Sequence, residues 1–351
     1  MILVFTNKSD AHPTNVIKYL VSWGVPIFRL NTECLLSDYD FSWWCDERGC
    51  DFYIKNKKNG LCLFGHQITA IWDRRPVEPN MLPIRYKDRK TNKFLREEAS
   101  GFLRFLRYYL RDVYSIGSIV EDRPASSKML QLSVARKFGM RIPNTSFANT
   151  KEAFFLLLQK HEDISLKPID ANGFFTDDGM EYIFYSRKAK SSEIMAQPNE
   201  AFEQTVSFLQ NYIDKKYELR ITVCNEDVIA CKIDSQSLDD DKGKIDWRQG
   251  YDYGLKQEIV DVPDDIKKFC VAFLKEMHLN FGCFDFIVTP DDDYVFLECN
   301  PNGQWLWIEL ATGYDISKII AKNLAMYEEK NFLKTNSETY PPSLLSNIGV
   351  L

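Results

Sequence analysis

The sequence predicts an α/β protein made of α+β lobes, and three observations predict it. Residues 2 to 6 (ILVFT), a helically spaced run from His12 to Trp23 and an apolar run from Pro26 to Leu30 make a βαβ opening, which implies a parallel sheet. Far along the chain, apolar runs from Cys283 to Val288 and from Tyr294 to Asn300 flank the turn formers Thr289-Pro290-Asp291-Asp292-Asp293, the pattern of an antiparallel hairpin. The chain has 351 residues, 45% of them hydrophobic and 14% aromatic, enough to bury a large core divided between two or three lobes.

Composition narrows the function. A net charge of −6 argues against a general nucleic-acid binder but leaves room for local basic pockets. No apolar run approaches the ~20 residues that cross a bilayer, and the start MILVFTNKSD has neither a basic opening nor a long apolar stretch. The expectation is a cytoplasmic protein with no membrane and no nucleic-acid partner. Nine cysteines, an odd number without CxxC, point to reduced core thiols rather than a disulfide framework. Cys45, Cys50, Cys62 and His66 match no standard zinc spacing.

The opening helix carries Val16, Ile17, Leu20 and Val21 on one face and closes at Gly24. The loop Thr6-Asn7-Lys8-Ser9 lacks the glycines of a dinucleotide fingerprint. Short strands follow at 41–45, 51–55, 61–64 and 68–72, ending in Trp72-Asp73-Arg74-Arg75-Pro76. The forks of Arg74 and Arg75 suit acidic side chains or phosphate, although paired arginines also end ordinary solvated strands. From Lys93 to Val113 a helix is expected, with Phe94, Leu95, Phe102, Leu103, Phe105, Leu106, Tyr109 and Leu110 as its core stripe and Arg104, Arg107 and Arg111 as a solvated row.

After a linker, Pro124 opens a helix that Gly139 closes, and a strand from His161 to Ile169 carries Lys167. An ammonium on a half-buried strand needs a partner, and phosphate is one, although a lysine at an exposed strand end is the other reading. A hairpin with few glycines, only Gly173 and Gly179, spans Asn172 through Asp177-Asp178 to Arg187. Glu218 and Arg220 are two apart on one strand and so point the same way, either into a cleft or into a simple ion pair. The loop Asp239-Asp240-Asp241-Lys242-Gly243, expected to move, leads to Asp246-Trp247-Arg248.

The late hairpin carries the densest chemistry. A turn centred between Asp291 and Asp292 sets Asp285 across from Glu298 and Cys283 across from Asn300, and alternation puts Glu298 and Asn300 on one face. Two adjacent carboxylates repel and lose hydration, so a bound cation is the natural compensation. Hard oxygen donors with no His nearby suit Mg²⁺ held through nucleotide phosphates. A one-residue slip would send Asp285 to the other face.

The pattern D-x(12)-E-x-N-P-N-G-Q, from Asp285 to Gln304, resembles the magnesium-binding end of an ATP-grasp ligase. With YELRITV, KIDSQ, DWR and GQWLWIEL, the chain resembles more narrowly the ATP-grasp maturases of ribosomal peptides, the graspetide (microviridin-type) synthetases. The resemblance implies an ATP-grasp fold with a pre-ATP-grasp domain at 1–120, a central lobe with a peptide-docking hairpin at 121–215, a C-terminal lobe at 216–330 and a tail at 331–351, the nucleotide lying between the last two lobes. It implies ATP and Mg²⁺ as cofactors, Lys128 and Lys167 on phosphates, backbone groups of Asn211, Tyr212 and Ile213 on adenine, and Glu218 on the ribose. Asp285, Glu298 and Asn300 would hold the metal, and Arg220 and Arg248 would offset charge on the transferring phosphoryl group. The implied partner is a precursor peptide with a leader and an acidic core, whose carboxyl side chains are joined to hydroxyls or amines; a homodimer is also implied. A ligase acting on a small molecule, or adding amino acids to a protein tail, would use the same ATP residues.

Overall fold

β1 (Ile2–Thr6) is buried along its whole length because it is an inner strand of a parallel sheet. It pairs with β2 (Ile27–Asn31) on one side and β6 (Ala70–Asp73) on the other, with β7 (Ser115–Ile116) completing the order β2-β1-β6-β7. The computed structural model describes residues 1–335 except 48, 78–87, 118–123, 171–172, 177 and 251–252. The chain divides into two units, Met1–Asp122 with Asp315–Leu351, and Arg123–Tyr314. Asn172, Asp177, the linker residues Glu121-Asp122-Arg123 and Pro341-Pro342 of the tail lie outside the described residues.

In the first unit, the helix Ala11–Ser22 is capped by Asp10, whose carboxylate accepts from the His12 N–H, and buries Val16 and Leu20. An antiparallel sheet of β3 (Tyr39–Asp46), β4 (Gly49–Asn56) and β5 (Cys62–Phe64) follows. Cys45 and Cys50, expected as thiols, face each other across β3 and β4 at a Cα separation of 4.0 Å and are disulfide-bonded, whereas the other seven cysteines are thiols. His66 Nδ1 meets Asp51 at 2.6 Å.

The long helix runs Arg89–Tyr109 and starts where Asp88 accepts from the Lys90 and Thr91 N–H groups. Its buried stripe is narrower than expected, since Leu103 and Leu106 are buried while Phe94 is 58% exposed. Arg107 leaves the expected solvated row because Asp73, buried at the end of β6, binds it at 2.6 Å. The helix Ile316–Thr335, expected in the C-terminal lobe, belongs to this first unit. Ile316, Ile320 and Leu324 repeat every fourth residue, and that stripe is buried as the helix packs on Ala11–Ser22.

The second unit holds two main antiparallel sheets. The smaller one, in the order β12-β9-β13-β8, contains β8 (Thr145–Ala148), β9 (Asp163–Lys167), β12 (Arg187–Lys190) and β13 (Ser207–Asn211). β10 (Gly173–Phe175) and β11 (Glu181–Ile183) pair separately as a hairpin. The larger sheet is five-stranded, in the order β16-β15-β14-β17-β18. Its strands are β14 (Tyr217–Cys224), β15 (Asp227–Asp234), β16 (Lys256–Val260), β17 (Phe281–Val288) and β18 (Tyr294–Asn300). Period-two alternation sends Leu219, Ile221 and Val223 with Phe284, Phe286 and Val288 to one face, beneath Phe269 and Phe273 of the helix Asp264–Glu276. Phe269 meets the rings of Phe284, Phe286 and Phe296 edge-on at 5.6–6.4 Å, a favoured aromatic geometry. Among the described residues, no helix is long and apolar enough to cross a membrane.

Candidate active site

The face of the large sheet opposite that core bears Glu218 and Arg220 of β14 and Asp285 of β17. These side chains line a cavity of about 210 Å³ that also takes Lys167 from β9 and Asn211 from β13 of the smaller sheet. Tyr212, Ile213, Arg248, Glu298 and Asn300 complete the set, so ten sequence-predicted residues share one wall system. Lys128 joins through its Nζ, 3.2 Å from Glu298.

The late hairpin has the expected pairing where it matters, with Asp285 opposite Glu298 and Cys283 opposite Asn300. The turn does not. Val288 pairs with Tyr294 and Ile287 with Val295, which centres the loop on Asp291, and a register shift after Asp285 restores the ligand pairing by leaving Leu297 as an extra residue. Asp292 takes the left-handed conformation (φ 63) that aspartate tolerates in turns. Just past β18, a Cβ on Gly303 would stand 2.5 Å from Cys283 Sγ, so only glycine allows that turn to close over the strand.

Each acid in this cavity faces a cation. Arg220 Nε lies 3.1 Å from Asp285 Oδ1. Burial pushes the Asp285 carboxyl up, against the pull of Arg220 and with the push of neighbouring Glu298. Loss of water also pushes Glu298 up, yet Lys128 and Lys167 outweigh it and hold Glu298 below its usual range. Burial lowers the Lys167 ammonium, with Glu298 opposing. Asp246 binds Arg248 through Nε at 2.8 Å and Nη2 at 2.5 Å, and accepts from the Ser186 N–H of the smaller sheet's side at 3.0 Å. The run expected as a mobile loop forms a short helix, Asp241–Ile245, before it.

Among the described residues, no three His, Cys, Asp or Glu side chains converge as a metal cluster. The donors present are two carboxylates and one amide, a set that suits a hard cation keeping positions for water and phosphate oxygens. Arg220 and Lys128 now supply the positive charge those carboxylates require. Asn300 Oδ1 meanwhile accepts from the Asn302 N–H at 3.0 Å.

The hinge is partly committed. The Asn211 N–H donates to Asn144 O and the Tyr212 N–H to Asp163 O, whereas the Ile213 N–H has no partner among the described residues. Glu218, 4% exposed, holds Lys215 Nζ at 2.6 Å and the Ser235 hydroxyl, so both its oxygens are engaged. Sequence reasoning missed Lys215, Gln210 and Asp246. Lys215 and Lys216 look alike in the sequence, but Lys216 pairs outward with Asp292 while Lys215 turns inward to Glu218 and Ile245 O. Gln210, 1% exposed, donates to Thr145 Oγ1, and its Oε1 has no partner among the described residues.

Arg74 and Arg75 belong to the first unit. Arg74 is 1% exposed with Nε 3.0 Å from Asp10, so its fork is turned into the fold rather than outward to a substrate. Arg75 is exposed at φ 47, and its carbonyl accepts from Asn7 Nδ2.

A second cavity of about 780 Å³ is lined mainly by apolar residues of the smaller sheet and its helices, among them Leu166, Phe184, Ile194, Phe202 and Leu209. It is the larger of the two, but the convergent acids and cations lie in the smaller one.

The family profile of the RimK-like ATP-grasp domain matches residues 125–324. A RiPP-associated ATP-grasp ligase of Chryseobacterium gregarium, solved with ADP and a leader and core peptide, is similar at 27% identity and a TM-score of 0.81, over 92% of this chain and 96% of that one. The macrocyclase MdnC of Microcystis aeruginosa MRC, bound with the precursor peptide MdnA, is similar at 25% identity and a TM-score of 0.76, over 92% and 98%. The ATP-grasp ligase PsnB, complexed with minimal precursor, Mg and ADP, shares the fold at 18% identity and a TM-score of 0.72, over 93% and 97%. No curated protein matches the sequence.

Proposed function

Because the chain belongs to the RimK-like ATP-grasp family, we propose that it is an ATP-dependent ligase of the graspetide kind. It activates Asp or Glu side chains of a ribosomally made precursor peptide and joins them to Ser or Thr hydroxyls or Lys amines, in the cytoplasm. The observation that carries this reading is the single cavity in which both sheets of the second unit bring cations around paired carboxylates. The two relatives at 25% and 27% identity, solved with precursor or leader and core peptides, support a peptide as substrate.

A carboxylate is a poor electrophile because its oxygen leaves badly. Transfer of the γ-phosphoryl group of ATP to that oxygen expels ADP and makes an acyl phosphate. Attack by the hydroxyl or amine then expels phosphate, and the peptide loses one water per bond. Lys128 and Lys167 would hold phosphate oxygens, and Arg220 and Arg248 would offset charge that develops as phosphoryl moves. Magnesium bound by Asp285, Glu298 and Asn300 would neutralise phosphate oxygens. The Ile213 N–H would bond the adenine edge, and Gln210 Oε1, a buried acceptor, would take its amino group. Glu218, whose oxygens each keep a second acceptor site beside the bonds to Lys215 and Ser235, would take the ribose hydroxyls.

The peptide has a docking candidate in the β10–β11 hairpin, where Met180, Tyr182 and Ile183 are exposed, and in the apolar cavity beside it. Incubation with ATP, Mg²⁺ and a synthetic leader-and-core peptide bearing Asp or Glu together with Ser, Thr or Lys side chains, followed by mass spectrometry, tests the reading. Loss of one water per crosslink supports it; attachment of free amino acids with the peptide untouched would favour a tail-adding or small-molecule ligase instead.

A further inference from the structure

Gln131 lies one turn after Lys128 on the helix Lys128–Lys137 and is 2% exposed. Among the described residues, its side-chain hydrogen bonds all go to backbone. Nε2 donates to Ala125 O and to Cys299 O, each at 2.6 Å, and Oε1 accepts from the Cys299 N–H at 2.9 Å. Cys299 sits on β18 between Glu298 and Asn300, and β18 is an edge strand of its sheet. An edge strand turns alternate N–H and C=O pairs away from the ladder, and at a buried position these need partners. The primary amide of Gln131 offers one donor and one acceptor side by side, as a neighbouring strand would.

The position of this clamp matters because of the extra residue Leu297. The register shift lies immediately before Glu298, so the pairing of Glu298 with Asp285 is not dictated by the turn. A slip of one residue there would turn Glu298 and Asn300 together to the opposite face. Gln131 fixes the backbone at the residue between them, and its own helix carries the Lys128 ammonium to Glu298. The third bond, to Ala125 O, ties the segment leading into that helix to the same amide.

We infer that Gln131 is a positioning residue for the cation-binding pair Glu298 and Asn300, acting through the backbone of Cys299 and touching neither metal nor nucleotide. The inference rests on the metal reading proposed above. Partners that orient metal ligands from behind typically change metal affinity by about 10–100-fold when removed.

The test compares ADP binding by calorimetry in Mg²⁺ and in EDTA for the unaltered protein and Gln131→Met, with melting temperatures for both. Methionine keeps the volume and deletes all three bonds. The Mg²⁺-dependent tightening of ADP should fall by about tenfold or more, while ADP affinity in EDTA stays the same and the Mg²⁺ concentration for half-maximal ADP formation rises. A lower melting temperature with the Mg²⁺-dependent tightening intact would overturn the inference, since that is what a purely structural residue does. If Gln131→Met fails to fold, Gln131→Asn, which keeps the amide one methylene short, should move the same quantity in the same direction, and an unchanged value there also overturns it. Absence of any Mg²⁺ effect in the unaltered protein would overturn the metal reading itself, a result distinct from either.

Discussion

Arg220 and Asp285 stand directly opposite one another on β14 and β17, with Nε 3.1 Å from Oδ1 and both side chains largely buried. Asp285 is in turn opposite Glu298 on β18, so one guanidinium faces a pair of acids across adjacent strands. Removing one partner of a buried pair strands the other charge, at a cost of about 3–5 kcal/mol. Arg220→Met should therefore lower the stability read from urea unfolding by about that amount, and MgADP should restore part of it by supplying the missing positive charge. Loss of stability that MgADP leaves untouched would separate Arg220 from the cation site.

Gln210 provides a prediction about the base. Its Oε1 is buried without a partner among the described residues, and it lines the same cavity as Ile213. Gln210→Leu should weaken ATP binding by about 1–3 kcal/mol, the usual range for a lost bond to a buried polar group, and should narrow the preference for ATP over GTP. Equal losses for both nucleotides would place Gln210 away from the adenine amino group.

The Asp10 network predicts an acid-sensitive first unit. Burial pushes the Asp10 carboxyl up, but the hydrogen bond with His12 and the charge of Arg74 outweigh it and hold the group well below the ordinary value of 3.8. A carboxyl depressed in the folded state binds fewer protons folded than unfolded, so its contribution is fully present above the ordinary carboxylate range and is lost as the pH falls through its folded value. Asp10→Asn should be less stable than the unaltered protein at neutral pH, and the gap in urea midpoint should shrink as the pH falls below about 4. A gap of constant size down to the acid limit would contradict the assignment.

Local patterns in the sequence were enough for much of this. Alternation put Glu218 and Arg220 on one face of their strand, the hairpin register set Asp285 across from Glu298, and the apolar spacing of the first helix and strands foretold the parallel sheet. Other features depend on contacts between distant residues. The bulge at Leu297 is decided by packing along β18 and by tethers such as Arg141 O to the Phe296 N–H, which no turn rule contains. Arg74 and Arg107 looked like surface cations because the acids that bury them, Asp10 and Asp73, lie far away in the sequence or on another element. The helix Ile316–Thr335 follows the hairpin of β17 and β18 in order but packs on Ala11–Ser22, because its apolar stripe matches that of the first helix. Lys215 and Lys216 are indistinguishable until the strand beside them sets which one faces in.

The most direct test is Glu298→Gln, assayed by mass spectrometry for water loss from the precursor peptide with ATP and Mg²⁺ and checked for an unchanged melting temperature. Glutamine keeps the shape and removes the charge that Lys128 faces and that the proposed cation would share. The account predicts a folded protein that forms no crosslinks. A folded variant that crosslinks the peptide as fast as the unaltered protein would contradict it.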